Sequence, residues 1–262
     1  MAKKTLWRSY IAGIIDRDTG ESYRSIFGFF LPELVTALLL CSFLNIIDAS
    51  FIGHLKSTSM YATQGVTSVF IYFLTKIAEG FSIGTIILCG QYNGLQDYKN
   101  VGRAAVASLW VTMIVGTVIS GFLFCFPHFI YSFFQVPDRM LQMGVAFLRI
   151  RAIGIFFSFL YFALIGFLRG IKKPGLSMKF FLLGGVFFVF FDYALIFGKF
   201  GFPAMELQGS AIASVIQYGV MLTAVFIYIL WDKKTRIYSL NLFSCFDGAA
   251  IGDIIKLSWP VM

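Results

Sequence analysis

The stretch at residues 177–197, "SMKFFLLGGVFFVFFDYALIF", is a nearly continuous apolar run long enough to cross a membrane. A membrane-spanning helix needs about 20 consecutive, mostly apolar residues. The run contains one acid, Asp192, close to its end. A charged side chain inside a bilayer costs at least about 2.5 kcal/mol, so an acid at this depth marks a candidate functional site.

Five further stretches have the same character, and together the six predict an all-α polytopic membrane protein. The chain is 58% hydrophobic and 13% charged, whereas soluble domains are about 25% charged. The connections between the runs are short, so no large domain outside the membrane is expected. The six predicted spans are residues 25–52, 60–89, 104–126, 140–168, 177–197 and 207–231.

The basic residues predict how the chain is oriented. Fifteen Lys and Arg residues lie on the side of the membrane that holds the N-terminus, and three lie on the other side. Basic loops stay in the cytoplasm, so both termini are predicted to be cytoplasmic and the protein to lie in the inner cell membrane. Basic cytoplasmic loops account for the net charge of +8, so no nucleic-acid partner is expected. The predicted parts are a cytoplasmic leader (1–24), a six-helix lobe (25–231), and a cytoplasmic linker with the truncated start of a seventh helix (232–262).

The sequence has no pattern typical of an enzyme or a resident metal. Its four cysteines, Cys41, Cys89, Cys125 and Cys245, are far apart and form no CxxC pair. There is no nucleophile elbow, phosphate-binding glycine loop or zinc-ligand spacing. We therefore expect no catalytic residue and no cofactor other than a coupling ion.

Polar residues from three predicted spans fall at one depth. At 1.5 Å per helical residue, Asp48, Asp192 and Ser214 all lie roughly 8–10 Å below the outer boundary. Asn45 shares the helix face of Asp48, and Ser210 shares that of Ser214. Two carboxylates at one level would hold a proton between them or bind a cation. Two other interpretations stay open: buried serines often bond only their own helix, and an Asp near a span end can be a cap.

Other polar residues at membrane depth have less specific interpretations. Lys76 and Glu79 are three residues apart, so they can pair on one helix or line a cavity together. Arg149 and Arg151 are expected to extend to the outer headgroups. Pro32 lies near the start of the first predicted span, where proline bends a helix unless it is in the first turn.

The end of the chain repeats its beginning. Residues 251–262, "IGDIIKLSWPVM", resemble residues 22–34, "SYRSIFGFFLPEL". Many transporters consist of two similar halves, so we interpret the chain as one six-helix repeat followed by the start of another. The alternatives are a truncated, inactive product and a half-length subunit that needs a second copy or a partner chain.

Five short motifs, in this order and at these spacings, resemble the MATE family, the multidrug and toxic compound extrusion transporters. The motifs are "LNIIDASFIGHL" (44–55), "GQYNGLQDYKNVGRA" (90–104), "FLRGIKKPGLSM" (167–178), "FFDYALIFG" (190–198) and "LQGSAIASVI" (207–216). The resemblance implies twelve helices in two lobes, of which this chain would be the N-terminal one. It also implies export of organic cations or other amphipathic compounds, driven by inward flow of protons or sodium ions.

The resemblance assigns roles to the polar residues. Asp48 and Asp192 match the family's aspartates of the cation or proton site, with Ser214 in place of a threonine and Ser210 one turn away. Phe188 stands where the family has asparagine, which favours protons over Na⁺ at this site. Protonation would then bend the first helix at Pro32. The alternative function is a flippase for lipid-linked saccharides, whose cavity would be lined by basic residues such as Lys76.

Overall fold

The computed structural model describes residues 23–38, 43–134, 136–232, 235–238 and 248–259, which form nine α-helices and one short 3₁₀ helix. Most of the predicted leader, Cys41, Cys245 and Pro260 lie outside these residues. The α-helices are α1 (Tyr23–Leu38), α2 (Leu44–Gly53), α3 (Thr58–Gly94), α4 (Tyr98–Cys125), α5 (Pro127–Phe133), α6 (Asp138–Gly170), α7 (Pro174–Phe197), α8 (Leu207–Trp231) and α9 (Gly248–Ser258).

The chain is a multi-pass membrane protein. Five helices, α3, α4, α6, α7 and α8, are long and apolar enough to cross a membrane. They correspond to the second to sixth predicted spans. The first predicted span, 25–52, corresponds to the two shorter helices α1 and α2, and residues 39–42 between them lie outside the described part of the chain.

Local sequence signals define the helix ends. Ser57 caps α3 by accepting the Met60 N–H at 3.4 Å, and Asp97 caps α4 by accepting the Asn100 N–H at 3.2 Å. Proline occupies the first turn of α5 and α7. Backbone N–H groups in the first turn make no hydrogen bond within the helix, so proline costs none there. Gly198 ends α7 at a φ of +65°, a conformation that favours glycine.

Helix α6 forms the centre of the bundle. It packs along α3, α4 and α8, and α7 packs along the other side of α8. Close approach to α3 depends on Gly166, because a Cβ there would lie 2.7 Å from the Ser82 carbonyl oxygen. The short helix α2 packs against α7 and α3. This arrangement brings parts of α2, α3, α6, α7 and α8 around one cavity.

Candidate functional site

A cavity of about 500 Å³ lies among these five helices and has one polar wall. Its volume is within the range of about 300–1,000 Å³ that small-molecule sites occupy. Aromatic rings, including Phe181, Phe188 and Tyr218, line the rest. The polar wall consists of Asn45, Asp48, Gln64, Ser68, Thr75, Glu79, Arg151, Ser214 and Gln217.

Asp48 is a buried carboxylate that connects α2 to α8. Its side chain lines the cavity, yet the residue is only 3% exposed. The Ser210 hydroxyl donates to Asp48 Oδ1 at 2.6 Å. Gln64 on α3 also lies within hydrogen-bonding reach of this carboxylate. These partners come from α8 and α3. The charge state of Asp48 therefore affects the strength of the hydrogen bonds that attach α2 to those two helices.

Asp192 on α7 is a second buried carboxylate, which does not itself line the cavity. It is fully buried, and neither carboxylate oxygen has a hydrogen-bond partner among the described residues. It lies close enough to Asp48 and Arg151 to interact electrostatically with both. A buried carboxylate without hydrogen bonds is strongly destabilised as a free anion, so this position calls for a proton or a cation.

Arg151 is a cavity residue that the sequence interpretation missed. The expectation that it extends to the headgroups is wrong, because its guanidinium lies in the cavity wall and donates to Ser214 Oγ. The guanidinium carbon is 5.6 Å from the centroid of the Phe147 ring, and its charge acts on Asp48 and Asp192. Arg151 is therefore held inside the bundle by a hydrogen bond, a ring contact and the field of two buried carboxylates.

Helix geometry contained a signal for this placement. Residues two apart on an α-helix point about 200° apart, so Arg149 and Arg151 cannot face the same environment. The structure leaves Arg149 exposed and directs Arg151 inward. The packing of α6 against its neighbours decides which of the two arginines faces the bundle.

The two serines on α8 link Arg151 to Asp48. Ser214 Oγ accepts from Arg151 and donates to the Ser210 carbonyl at 3.1 Å, one turn earlier. The Ser210 hydroxyl in turn bonds Asp48. Ser214 therefore does bond its own helix backbone, as buried helical serines often do. It also accepts a hydrogen bond from Arg151 on α6.

Lys76 and Glu79 pair with each other on α3. Lys76 Nζ lies 2.6 Å from Glu79 Oε2 and 5.0 Å from the centroid of the Tyr72 ring. Glu79 lines the cavity with Thr75, whereas the Lys76 side chain is not part of its wall. The pair thus contributes little net charge to the cavity.

The remaining predicted residues lie at different distances from this wall. Asn45 lines the cavity one turn before Asp48. Pro32 is buried inside α1, away from the cavity, and its carbonyl accepts the Thr36 hydroxyl at 2.8 Å. Phe188 lies in the cavity wall. Among the described residues, no group of three or more His, Cys, Asp or Glu side chains could hold a metal ion.

Comparison with known proteins gives one consistent result. A model of the MatE family matches residues 34–194, more than half of the chain. A probable multidrug resistance protein NorM from Bacillus cereus is 29% identical over 88% of this chain and 51% of its own length. Its namesake from Rhizobium meliloti is 27% identical over 83% of this chain and 46% of its own length.

A solved structure agrees on the fold. A crystal structure of MATE in complex with MaD3S superposes with a TM-score of 0.79 at 21% identity, covering 90% of this chain and 52% of that one. The chain therefore spans about half the length of the relatives it matches. Its described helices have the fold of one half of that structure.

Proposed function

The chain belongs to the MATE transporter family, and from that premise we propose that it is the N-terminal lobe of a secondary transporter that exports drugs or other organic cations in exchange for protons or sodium ions. The family is one of transporters, not enzymes. The observation that carries the proposal is the proximity of two buried carboxylates, Asp48 in the cavity wall and Asp192 close enough to interact with it electrostatically.

The charge balance of the cavity favours cations. With both aspartates ionised, Arg151 leaves one net negative charge at this wall. Glu79 is already paired with Lys76. A cleft with low-dielectric walls concentrates the field of such a charge, so it attracts protons and cationic compounds.

Aromatic side chains supply the second recognition element. Tyr61, Tyr72, Phe181, Phe188 and Tyr218 line the cavity. Cations bind over aromatic faces with about 0.5–2 kcal/mol, and flat apolar compounds stack on them. This lining suits chemically diverse amphipathic cations better than one strongly hydrated substrate.

Asp48 offers a route from ion binding to helix movement. The Ser210 hydroxyl donates to its carboxylate, and hydrogen bonds to charged groups are about twice as strong as neutral ones. A proton or cation arriving at Asp48 competes with that bond and loosens α2 from α8. We propose that α1 then bends at Pro32, which is inside the helix and removes one backbone hydrogen bond there.

The flippase alternative receives less support. It requires a cavity whose basic residues bind an anionic lipid-linked saccharide. Lys76 is paired with Glu79, and the basic residue in the wall, Arg151, faces two carboxylates. An anionic substrate would therefore meet net negative charge.

The proposed cycle needs a second six-helix lobe. The relatives are about twice as long as this chain, and their names describe whole multidrug resistance proteins. Further polypeptide after residue 262 or a second copy of the chain would supply that lobe. We further propose that both termini are cytoplasmic in the inner cell membrane, as the distribution of Lys and Arg suggests.

Asparagine substitutions at the two carboxylates test the proposal. The test uses the full transporter, with the second lobe present, in proteoliposomes that carry a pH gradient or a sodium gradient. There we expect Asp48→Asn and Asp192→Asn to abolish ethidium transport. Asp253→Asn, an exposed aspartate on α9, is the matched control and should transport normally. Gradient-driven transport that survives both cavity substitutions would refute the proposal.

A further inference from the structure

We propose that Arg151 is a built-in cation that occupies the place a sodium ion would take at Ser214, and so excludes Na⁺ from the carboxylate pair. The inference rests on the proposed function, because it concerns the choice of coupling ion at the same site. It assigns a specificity-determining role to a residue of α6 that lies in none of the five sequence motifs.

Ser214 has little capacity left for a metal ion. A serine hydroxyl has one proton and two lone pairs. The Ser214 proton goes to the Ser210 carbonyl at 3.1 Å, and the oxygen accepts from Arg151. Sodium approaching this oxygen would have to displace a guanidinium that carries the same charge.

Near Ser214, one expected oxygen ligand is missing and two carboxylates are already engaged. Hard cations bind through carboxylate, carbonyl and water oxygens. Phe188, one turn before Asp192 on α7, presents a ring to the cavity and no oxygen. Asp48 Oδ1 already accepts the Ser210 hydroxyl, and Glu79 is paired with Lys76.

Arg151 is suited to supply a permanent positive charge. Its guanidinium is always protonated in proteins, unlike a lysine or histidine. Phe147 packs against it on α6, and its Nε is buried without a hydrogen-bond partner among the described residues. Asp192, fully buried and likewise without such a bond, lies within its field. The arrangement is a charge cluster in which the protein supplies the metal-like cation.

Direct sodium binding tests this role separately from transport. Equilibrium binding of ²²Na⁺ to the purified protein in detergent should show no saturable component up to about 0.15 M, the physiological ionic strength. In Arg151→Met, loss of a nearby unit charge should make sodium binding at least about tenfold tighter. Arg151→Lys keeps the charge and should resemble the wild type, as should Arg149→Met, which removes an exposed arginine from the same helix.

A second substitution assigns any new site to the carboxylates. Asp192→Asn in the Arg151→Met background should remove the sodium binding that the single variant gains. A monodisperse Arg151→Met or Arg151→Gln protein that gains no sodium binding overturns the proposal. Should neither variant fold, the wild type decides: saturable binding lost in Asp192→Asn overturns the proposal, and its absence supports it. If the aspartate variants still transport ethidium, the proposed function fails, whereas the sodium measurement still reports on Arg151.

Discussion

Ser210→Ala removes the hydroxyl that donates to Asp48 Oδ1 at 2.6 Å, in a place where both residues are at most 3% exposed. A hydrogen bond to a charged group contributes about 1.5–3 kcal/mol to stability. For a protein of this size, each kcal/mol lost lowers the unfolding temperature by roughly 2–4 °C. We therefore expect a decrease of roughly 3–12 °C.

Thermal unfolding in detergent, followed by tryptophan fluorescence, measures this decrease. Thr223→Ala is the matched control, because Thr223 is also on α8 but is exposed and bonds only the Gly219 carbonyl of its own helix. Ser210→Thr keeps the hydroxyl and should retain most of the stability. A decrease in Ser210→Ala no larger than that in Thr223→Ala contradicts the assignment.

A double-mutant cycle identifies the partner of the hydroxyl. In an Asp48→Asn background the acceptor is neutral, so the cost of Ser210→Ala should fall to about 1 kcal/mol, the value of an uncharged hydrogen bond. The difference between the two backgrounds is the coupling energy of the pair. If the Ser210→Ala decrease is the same in both backgrounds, the hydroxyl stabilises something other than charged Asp48.

Two further substitutions probe positions away from the cavity. Pro32→Ala restores a backbone N–H inside α1; we expect ethidium export to fall, while the unfolding temperature stays equal or rises because a hydrogen bond of about 0.5–1.5 kcal/mol is regained. Lys173→Met breaks contacts to Asp232 (2.8 Å) and Tyr228 (3.1 Å) between α7 and α8, so the unfolding temperature should fall modestly. Burial lowers the pKa of Lys173, but the hydrogen bonds to Asp232 and Tyr228 outweigh this effect and raise the pKa above 10.5. The difference in unfolding temperature between the wild type and Lys173→Met should therefore be full at neutral pH. It should disappear as the pH rises through the folded-state pKa.

Each of these substitutions has a control of the same residue type. Pro127→Ala changes a proline in the first turn of α5, where no helical bond is at stake, and should leave export intact. Lys172→Met changes an exposed lysine beside Lys173 and should not alter the unfolding temperature. Normal export by Pro32→Ala, or a Lys173→Met decrease that persists above the lysine pKa, would contradict the respective interpretation.

Much of the site could be predicted from sequence because depth in a membrane is a one-dimensional quantity. Counting residues from the ends of apolar runs placed Asp48, Asp192 and Ser214 at one level. In the structure Asp48 and Ser214 line one cavity, and Asp192 lies close enough to Asp48 to interact with it electrostatically. The same counting paired Lys76 with Glu79, which the structure joins at 2.6 Å. Depth does not tell which way a side chain points, so Arg151 was expected at the headgroups and lies instead against Ser214.

The sequence by itself determined the architecture, because a bilayer requires long apolar helices and local signals such as Ser57, Asp97 and Gly198 end them. Only the tertiary structure decided which residues share the cavity. The rotation of α6 about its own axis directs Arg151 toward the two carboxylates, and that rotation depends on packing against α3, α4 and α8. Packing of this kind arises from contacts between residues far apart in the chain, which no local pattern encodes. The electrostatic character of the site, one fixed cation close to two buried acids, is therefore a property of the assembled bundle.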